Sequence, residues 1–436
     1  MLRAALHNLG CKVNAYETEV MEEMLIENGY EIVDFDDIAD VYVINTCSVT
    51  NIADRKSRQM IHKAARKNEN ACIIAAGCYV QTAIDEAVND PDIDIIIGNN
   101  EKNKLIPLLN EFFKNKGKVE AFKDLTEAVP YEEMLLPKTH EHTRAFIKVQ
   151  DGCNQFCTYC IIPYARGRIR SRSIDDVLSE VKALAENGYK EIVVTGIHIS
   201  SYGKDTDSSL IELLEEIDKV DGISRIRIGS LEPMIITKEF VERLVKTKVT
   251  PHFHLSLQSG SDTVLKRMNR HYSAKEYYNG VGLLREYYEH PAITTDIILG
   301  FPGETLDEFE ETCDFVRHVK FFETHLFKYS KRKGTPAATM PNQILEAEKA
   351  RRSHILSEIQ SEYKKEFMEF YIGKPVEILI ENSEEIDGVK YYVGLNREYV
   401  RFLIPCESNE LMINEFTMVT AESFLNSDSL LAKISL

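Results

Sequence analysis

Gln150-Asp151-Gly152-Cys153-Asn154-Gln155-Phe156-Cys157-Thr158-Tyr159-Cys160 is the stretch on which the fold of this chain turns. It follows a strand-like run, Ala145–Val149, and places three cysteines on one short loop in a C-x3-C-x2-C pattern. Three thiolates so spaced hold three irons of a [4Fe–4S] cube and leave the fourth open, free to chelate a small molecule as well as to pass an electron. Zinc sites pair C-x2-C with a second pair, and none follows nearby. Cys153, Cys157 and Cys160 are therefore the candidate catalytic and metal-ligating residues.

Downstream, strand-like runs recur at Glu191–Gly196, Arg225–Leu231, His252–Gln258, Ile293–Gly300 and Phe322–Tyr329, with helical patterns between them. With Ala145–Val149 they make six strands, the rhythm of a partial (β/α)6 barrel. Along His252-Phe-His-Leu-Ser-Leu-Gln258 the polar residues alternate with apolar ones. One face of that strand is thus polar, as a barrel enclosing a charged ligand requires.

Upstream, Leu2–Asn8, Val41–Asn45 and Cys72–Ala76 alternate with helical patterns at Glu17–Asn28 and Ala53–Lys67, which predicts a parallel-sheet α/β domain. Each run leads into a cysteine: Leu9-Gly10-Cys11, Thr46-Cys47 and Ala76-Gly77-Cys78. The carboxyl ends of parallel strands share one sheet edge, so these three cysteines should converge there. A fourth run, Ile93–Ile97, ends in Gly98-Asn99-Asn100 at the same level, and Val119–Thr143, with Pro130 and Pro137, reads as a linker. A long helical pattern, Gln343–Tyr371, precedes a β-rich tail with runs at Val376–Ile380, Lys390–Gly394, Tyr399–Ile404, Phe416–Ala421 and Leu430–Ile434, which predicts a small antiparallel β-barrel. The resulting divisions are 1–118, 119–143, 144–371 and 372–436.

The composition fits an ordinary globular protein: 44% hydrophobic and 28% charged over 436 residues, which excludes disorder and collagen-like fibres. No apolar run approaches the roughly 18–20 residues that span a bilayer, and Met1–Asn14 lacks a secretory pattern, so a cytoplasmic protein without a membrane partner is expected. Nine cysteines in such a chain point to metal ligands or catalysis rather than a disulfide framework. Of these, Cys72, Cys313 and Cys406 read as small buried hydrophobes. The net charge of −18 opposes non-specific binding to a polyanion.

The loop C-x3-C-x-Tyr-C after a barrel strand is similar to that of the radical S-adenosylmethionine (SAM) superfamily. Leu9-Gly10-Cys11-Lys12-Val13-Asn14, Asn45-Thr46-Cys47-Ser48-Val49-Thr50, Ala76-Gly77-Cys78 and the stretch from Gln150 to Arg168 resemble the methylthiotransferases along nearly the whole chain. Within that family, Gly10-Cys11-Lys12-Val13-Asn14 and Thr195-Gly196-Ile197-His198-Ile199-Ser200-Ser201-Tyr202-Gly203 resemble the branch acting on N6-threonylcarbamoyladenosine next to the tRNA anticodon. The isopentenyladenosine branch typically carries Gly-Cys-Gln-Met-Asn, and the branch acting on a ribosomal-protein aspartate Gly-Cys-Pro-Lys-Asn. The resemblance implies an N-terminal cluster domain, a radical SAM partial barrel and a C-terminal TRAM barrel. It also implies a second [4Fe–4S] cluster on Cys11, Cys47 and Cys78, SAM as cofactor, and as partners tRNA, an electron donor such as flavodoxin or ferredoxin, and an unidentified sulfur donor. Its division of labour would be hydrogen abstraction by a 5′-deoxyadenosyl radical made at the barrel cluster, and sulfur delivery from the N-terminal one. Adding sulfur to an unactivated aromatic C–H needs a radical, because no side-chain base can deprotonate that carbon. The alternatives are the other two methylthiolation substrates, or an RNA-binding iron–sulfur electron carrier or sensor.

SAM carries an amino-acid end, a sulfonium and an adenosine, so its pocket should mix carboxylates, amides and glycines at strand ends. Tyr159, Gly196, Glu232, Ser256, Gln258 and Asp296 are the candidates, with His198 as a supporting residue. For RNA, basic clusters stand at Arg166, Arg168, Arg170 and Arg172; at Arg55 to Lys67; at Lys266, Arg267 and Arg270; and at Lys331-Arg332-Lys333. From residue 370 onward 5 Lys and Arg face 11 Asp and Glu, so RNA contact by the tail would rest on stacking, with Tyr399 and Arg401 as candidates.

Overall fold

The computed structural model describes residues 1–127, 129–135, 143–406 and 411–435. Its first unit is a six-stranded parallel sheet: β1 (Arg3–Asn8), β2 (Glu31–Ile32), β3 (Val41–Thr46), β4 (Cys72–Gly77), β5 (Ile95–Ile97) and β6 (Val119–Ala121), in the order β2-β1-β3-β4-β5-β6. β3 and β4 are buried along their whole length, as strands covered by helices on both faces must be. The two longest crossover helices are α1 (Lys12–Glu27) and α2 (Asn51–Lys67). Thr50 caps α2 by accepting from the Ala53 amide, and Asp54 and Arg66-Lys67 suit the dipole at its two ends. β6 corrects the linker reading: Val119–Ala121 pairs with β5, so the sheet extends past residue 118. Pro137, the second proline of that stretch, lies outside the described residues.

The second unit holds β7 (Arg144–Asp151), β8 (Arg170–Ser171), β9 (Glu191–Gly196), β10 (Arg225–Ile228), β11 (His252–His254), β12 (Ala292–Leu299) and β13 (Glu323–Lys328). β7, β9 and β10 form one parallel group and β11, β12 and β13 another, joined by the isolated bridges Leu231↔Leu255 and Ile226↔Val249. These are the six strands of the expected partial barrel. The short β8 returns antiparallel along the end of β7, pairing Asp151 with Arg170. The strand expected to run to Gln258 stops at His254, and Gln258 adopts φ of 72° while bridging to Ile297.

The tail is a closed barrel of β14 (Pro375–Ile386), β15 (Val389–Leu395), β16 (Arg401–Pro405), β17 (Phe416–Asn426) and β18 (Ser429–Ile434), ordered β14-β15-β16-β18-β17. It is antiparallel except for the parallel pair β16–β18. Arg225 and Arg227 of β10 dock it, donating to the carbonyls of Leu395, Asn396, Arg397 and Glu377.

Candidate functional site

The loop after β7 is shaped by Gly152, at φ of 71°, where a Cβ would lie 1.8 Å from the Arg168 carbonyl oxygen. Only glycine fits. Cys153 and Cys157 are buried and Cys160 half-buried. The loop is held from both sides: Cys153 N–H donates to Gly167 O at 3.0 Å, Thr158 N–H to Met268 O at 3.0 Å, and Asn269 Nδ2 to the carbonyls of Gln155 and Phe156. Arg270 Nη1 donates to Cys157 Sγ at 3.2 Å, while Nη2 pairs with Glu232 at 2.6 Å. Glu232 also faces His198 at 3.3 Å. Burial would raise the Glu232 carboxyl, but His198 and Arg270 outweigh it and hold its pKa below the ordinary value. Burial pushes Cys153 up to about 11 and Cys160 to about 12, with neighbouring thiols adding to it, so both keep their protons until a metal displaces them.

Cys11, Cys47 and Cys78 follow β1, β3 and β4 on one sheet edge. In the strand order β2-β1-β3-β4, β2 is added on one side of β1 and β3 on the other, so Cys11 and Cys47 flank the switch-point crevice where open parallel α/β sheets take ligands. A Cβ on Gly10 would lie 2.8 Å from Cys47 Sγ. Asn14 ties the loops together, donating from Nδ2 to Leu9 O at 2.7 Å and to Thr46 O at 3.0 Å. Asn99 Nδ2 donates to Cys78 Sγ at 3.5 Å, placing the end of the fourth run at the same edge. Burial raises Cys47 to about 11, and the thiols of Cys78 and Cys11 add to the effect.

The two triplets fit clusters better than single ions. Among the described residues, only His254–Asp296–His325 and His62–Asp90–Asp92 bring three ligand atoms within 4.8 Å of one another. The thiols are spread more widely, as thiolates reaching different irons of a cube must be.

A buried ionic network joins the two cysteine centres. Arg166 donates to Glu17 of α1 at 2.8 Å, to Asp151 at 3.1 Å and to Asn14 Oδ1 at 2.6 Å, and Lys148 pairs with Glu17 at 2.7 Å and Asp151 at 2.8 Å. Lys102 completes it, 3.1 Å from Glu17. Burial opposes the charge on Glu17, yet Arg166, Lys102 and Lys148 hold its pKa well below the carboxylate range.

This network corrects most of the arginine run as an RNA site. Arg166, Arg170 and Arg172 are 0%, 3% and 4% exposed and are committed to Glu17, Asp151 and Glu180. Arg168 alone is exposed, its guanidinium 4.9 Å from the Phe156 ring centre. Tyr399 is likewise engaged inside the molecule, between Arg144 at 4.8 Å and Arg227 at 4.4 Å, with His252 at 4.9 Å. Arg401 is half-exposed and paired with Glu384.

Of the six SAM candidates, Gly196 ends β9, Glu232, Ser256 and Gln258 lie in the segments after β10 and β11, Asp296 lies within β12, and Tyr159 lies on the cysteine loop. Glu232 is joined to the cluster loop through Arg270. Gly196 lies against Gln150, whose Oε1 accepts from the His198 amide at 2.7 Å. Gln258 and Asp296 meet through the backbone at 2.8 Å, and Ser256 accepts from Tyr272 through its carbonyl at 2.6 Å. Tyr159, between two cysteines, packs edge-on against Phe301. A cavity of about 460 Å³ beside the loop is lined by Gln155, His198, Ser200, Glu232, His271 and Tyr272. Asn14 and Glu17 are not site candidates in the sequence, and Arg270 enters there only through a basic cluster considered for RNA, since nothing in their local pattern shows which distant thiol or charge they meet. His254, which pairs with Asp296 at 3.3 Å and stacks on His325, was visible only as part of a polar strand face.

A cysteine loop at the end of the first strand of a six-stranded β/α barrel defines a radical SAM protein, and residues 147–316 match the Radical SAM superfamily model. Residues 3–98 match the model of uncharacterized protein family UPF0004. The chain is 42% identical to the threonylcarbamoyladenosine tRNA methylthiotransferase MtaB of Bacillus subtilis (strain 168), over 96% of this chain and 93% of that protein. It is 38% identical to the protein of the same name from Aquifex aeolicus (strain VF5), covering 91% and 97%. It is also 36% identical to a tRNA-2-methylthio-N(6)-dimethylallyladenosine synthase from Pelotomaculum thermopropionicum (strain DSM 13744 / JCM 10971 / SI), covering 89% and 88%. Among solved structures, the radical SAM methyltransferase TsrM from Kitasatospora setae shares the fold, with a TM-score of 0.57 at 16% identity over 77% of each chain. The chain belongs to the radical SAM methylthiotransferase family, whose members are enzymes. The superfamily implies one [4Fe–4S] cluster and SAM, which Cys153, Cys157 and Cys160 are placed to serve. No helix among the described residues is long and apolar enough to cross a membrane.

Proposed function

We propose that this enzyme methylthiolates tRNA, converting N6-threonylcarbamoyladenosine to its 2-methylthio derivative, with a second [4Fe–4S] cluster on Cys11, Cys47 and Cys78. The observation that carries the reading is the joining of two three-cysteine centres by Asn14 and Arg166, which touch both cysteine-bearing units. When bound, the barrel cluster and SAM supply the radical that removes hydrogen from an unreactive carbon. The protein's own part is positional. Arg270 gives Cys157 a cationic hydrogen bond, and Glu232, His198 and Asp296 are the polar groups that would hold SAM when it is bound. Arg166, Glu17, Asp151 and Lys148 fix the distance over which sulfur must be delivered.

The choice of nucleoside is supported by the Gly10–Asn14 motif and by the names of the Bacillus and Aquifex relatives. The dimethylallyl relative shows that the other arm is chemically close. Nucleoside mass spectrometry of tRNA from a deletion strain tests the reading. Loss of 2-methylthio-N6-threonylcarbamoyladenosine alone is expected; loss of only the dimethylallyl product would transfer the enzyme to that substrate.

A further inference from the structure

β11, β12 and β13 are neighbours in the second half of the barrel, and their register sets three ligating side chains on one face. His254 lies opposite Thr294, and Asp296, two residues further along β12, lies opposite His325. The alternate residues Phe253, Ile293 and Ile297 are buried in the apolar core shared with the helices, and Leu326 packs against it. His254, Asp296 and His325 therefore face the other way, into the barrel. One ligand atom of each lies within 4.8 Å of the others. His254 and Asp296 are half-buried and His325 is exposed, so an ion can reach the group from solvent.

The contacts within the group suit a cation. His254 Nδ1 meets Thr294 Oγ1 at 3.0 Å, and with Nδ1 as the donor, Nε2 keeps its lone pair. That is how metal-binding imidazoles are held in one tautomer and orientation. Nε2 is buried and makes no hydrogen bond, although Asp296 Oδ2 is only 3.3 Å away. The two atoms thus sit side by side rather than donor to acceptor, and an ion that takes an electron pair from each would satisfy both. His325 stacks on His254 with ring centres 5.6 Å apart, which brings a second imidazole to the same place. The other three-ligand group is already closed on itself, since His62 Nδ1 is hydrogen-bonded to Asp92 at 2.7 Å. Two imidazoles and one carboxylate suit zinc, iron(II) or cobalt(II), whereas magnesium and calcium take oxygen ligands. We propose that His254, Asp296 and His325 form a mononuclear site for one divalent transition-metal ion, separate from the iron–sulfur centres. Three protein ligands leave a coordination position open toward the barrel interior, for water or an oxygen donor of a bound molecule. Oδ2 is the Asp296 oxygen nearest His254, so Oδ1 remains for the SAM contact proposed above.

The test uses reconstituted holoenzyme with its iron and sulfide counted, freed of loose ions by a chelator and dialysed anaerobically against zinc chloride. One zinc per chain should be retained, with nitrogen and oxygen at about 2.0–2.2 Å in zinc-edge X-ray absorption and no sulfur at about 2.3 Å. His254→Gln and His325→Gln should each weaken zinc binding by more than about tenfold while the iron count holds. Thr294→Val, which removes the partner of Nδ1, should weaken it by about tenfold. His62→Gln should bind zinc as wild type does. A sulfur shell would put the zinc on cysteines, and loss of zinc in His62→Gln would put it on the other group; either overturns the proposal. So does a wild type that retains no zinc, or a His325→Gln variant with full iron and wild-type affinity. His325 is exposed, so its replacement spares the core and decides the matter even where His254→Gln fails to fold.

Discussion

Arg270 bridges Cys157 and Glu232 from a side chain that is 6% exposed. Its position in the loop after the helix Asp262–Arg267 gives no sequence hint of a thiol partner, and it reads in the chain as one more basic residue near Lys266 and Arg267. Hydrogen bonds from cations to thiolates favour the reduced cluster, so Arg270→Ala should lower the reduction potential and slow SAM cleavage by about tenfold or more while iron is still bound. Potentiometry with a 5′-deoxyadenosine assay checks this, and an unchanged potential would show that Arg270 serves Glu232 alone. Arginine spacing was similarly opaque. Positions 166, 168, 170 and 172 alternate in the chain, but Arg166 ends the helix Ile162–Arg166 and only Arg170 lies on a strand, and the acids that draw three of them inward lie on α1, β7 and the helix Ile174–Glu186. The cysteines were legible because ligand chemistry restricts their spacing within a loop or their place after a strand. Backbone constraints are equally local. Gly152→Ala should cost a few kcal/mol and block iron loading, since it adds a Cβ clash with Arg168 to a left-handed φ. Gly188→Ala, at φ of 87° with open space around it, should cost only about 1–2 kcal/mol in thermal unfolding.

At the scale of elements, strand and helix positions followed from apolar runs and periodicity, and the six barrel strands and five tail strands lie where those patterns placed them. The strand Val119–Ala121 did not announce itself, because three residues with a central glutamate carry too little pattern to separate from a loop. The polar strand from His252 was cut short because the backbone beyond Leu255 bends to let Gln258 bridge to Ile297. α1 shows why element assignment does not by itself yield function. Its buried Glu17 makes it a strut between the N-terminal sheet and the barrel, receiving Arg166, Lys148 and Lys102. Glu17→Gln would leave three buried cations short of a counter-charge and should destabilise the protein by roughly 3–5 kcal/mol. The pH dependence has a definite sign. The folded pKa of Glu17 lies below its ordinary 4.5, so its stabilisation is complete above that value and is lost as pH falls through the folded one. Thermal melts from pH 7 to 3 should therefore draw closer together for wild type and Glu17→Gln as pH falls below 4.5. Parallel curves across the whole range would remove Glu17 from the network's charge balance.

Across the whole molecule, a chain of net charge −18 that is to bind tRNA needs its cations gathered locally, and tertiary contacts gather two basic segments. Exposed Arg55 and Lys56 lie on α2, which starts shortly after Cys47, and exposed Lys331 and Lys333 lie nearly three hundred residues later. Asn51 Nδ2 donates to Lys331 O at 2.7 Å and Arg332 pairs with Asp54, so the two patches become one. The same loop reaches the barrel cysteines: a Cβ on Gly334 would lie 3.6 Å from Ile161, and Ala337 N–H donates to Thr158 O at 2.8 Å. The combined patch therefore adjoins both the segment after Cys47 and the loop of Cys157 and Cys160, and is the expected landing place for tRNA, whereas the acidic tail barrel spends Tyr399 on Arg144 and Arg227. Each phosphate neutralised contributes about 0.7–0.9 to the slope of log affinity against log salt. Replacing Arg55, Lys56, Lys331 and Lys333 with glutamine should lower that slope for tRNA by up to roughly three units. Arg168→Gln should lower it by about one more at most, because a single exposed guanidinium meets a single phosphate. Arg170→Gln should instead lower the melting temperature, since that arginine is buried beside Asp151. Titrations at several salt concentrations decide the matter: a fourfold variant that keeps the wild-type slope would move the RNA path away from this junction.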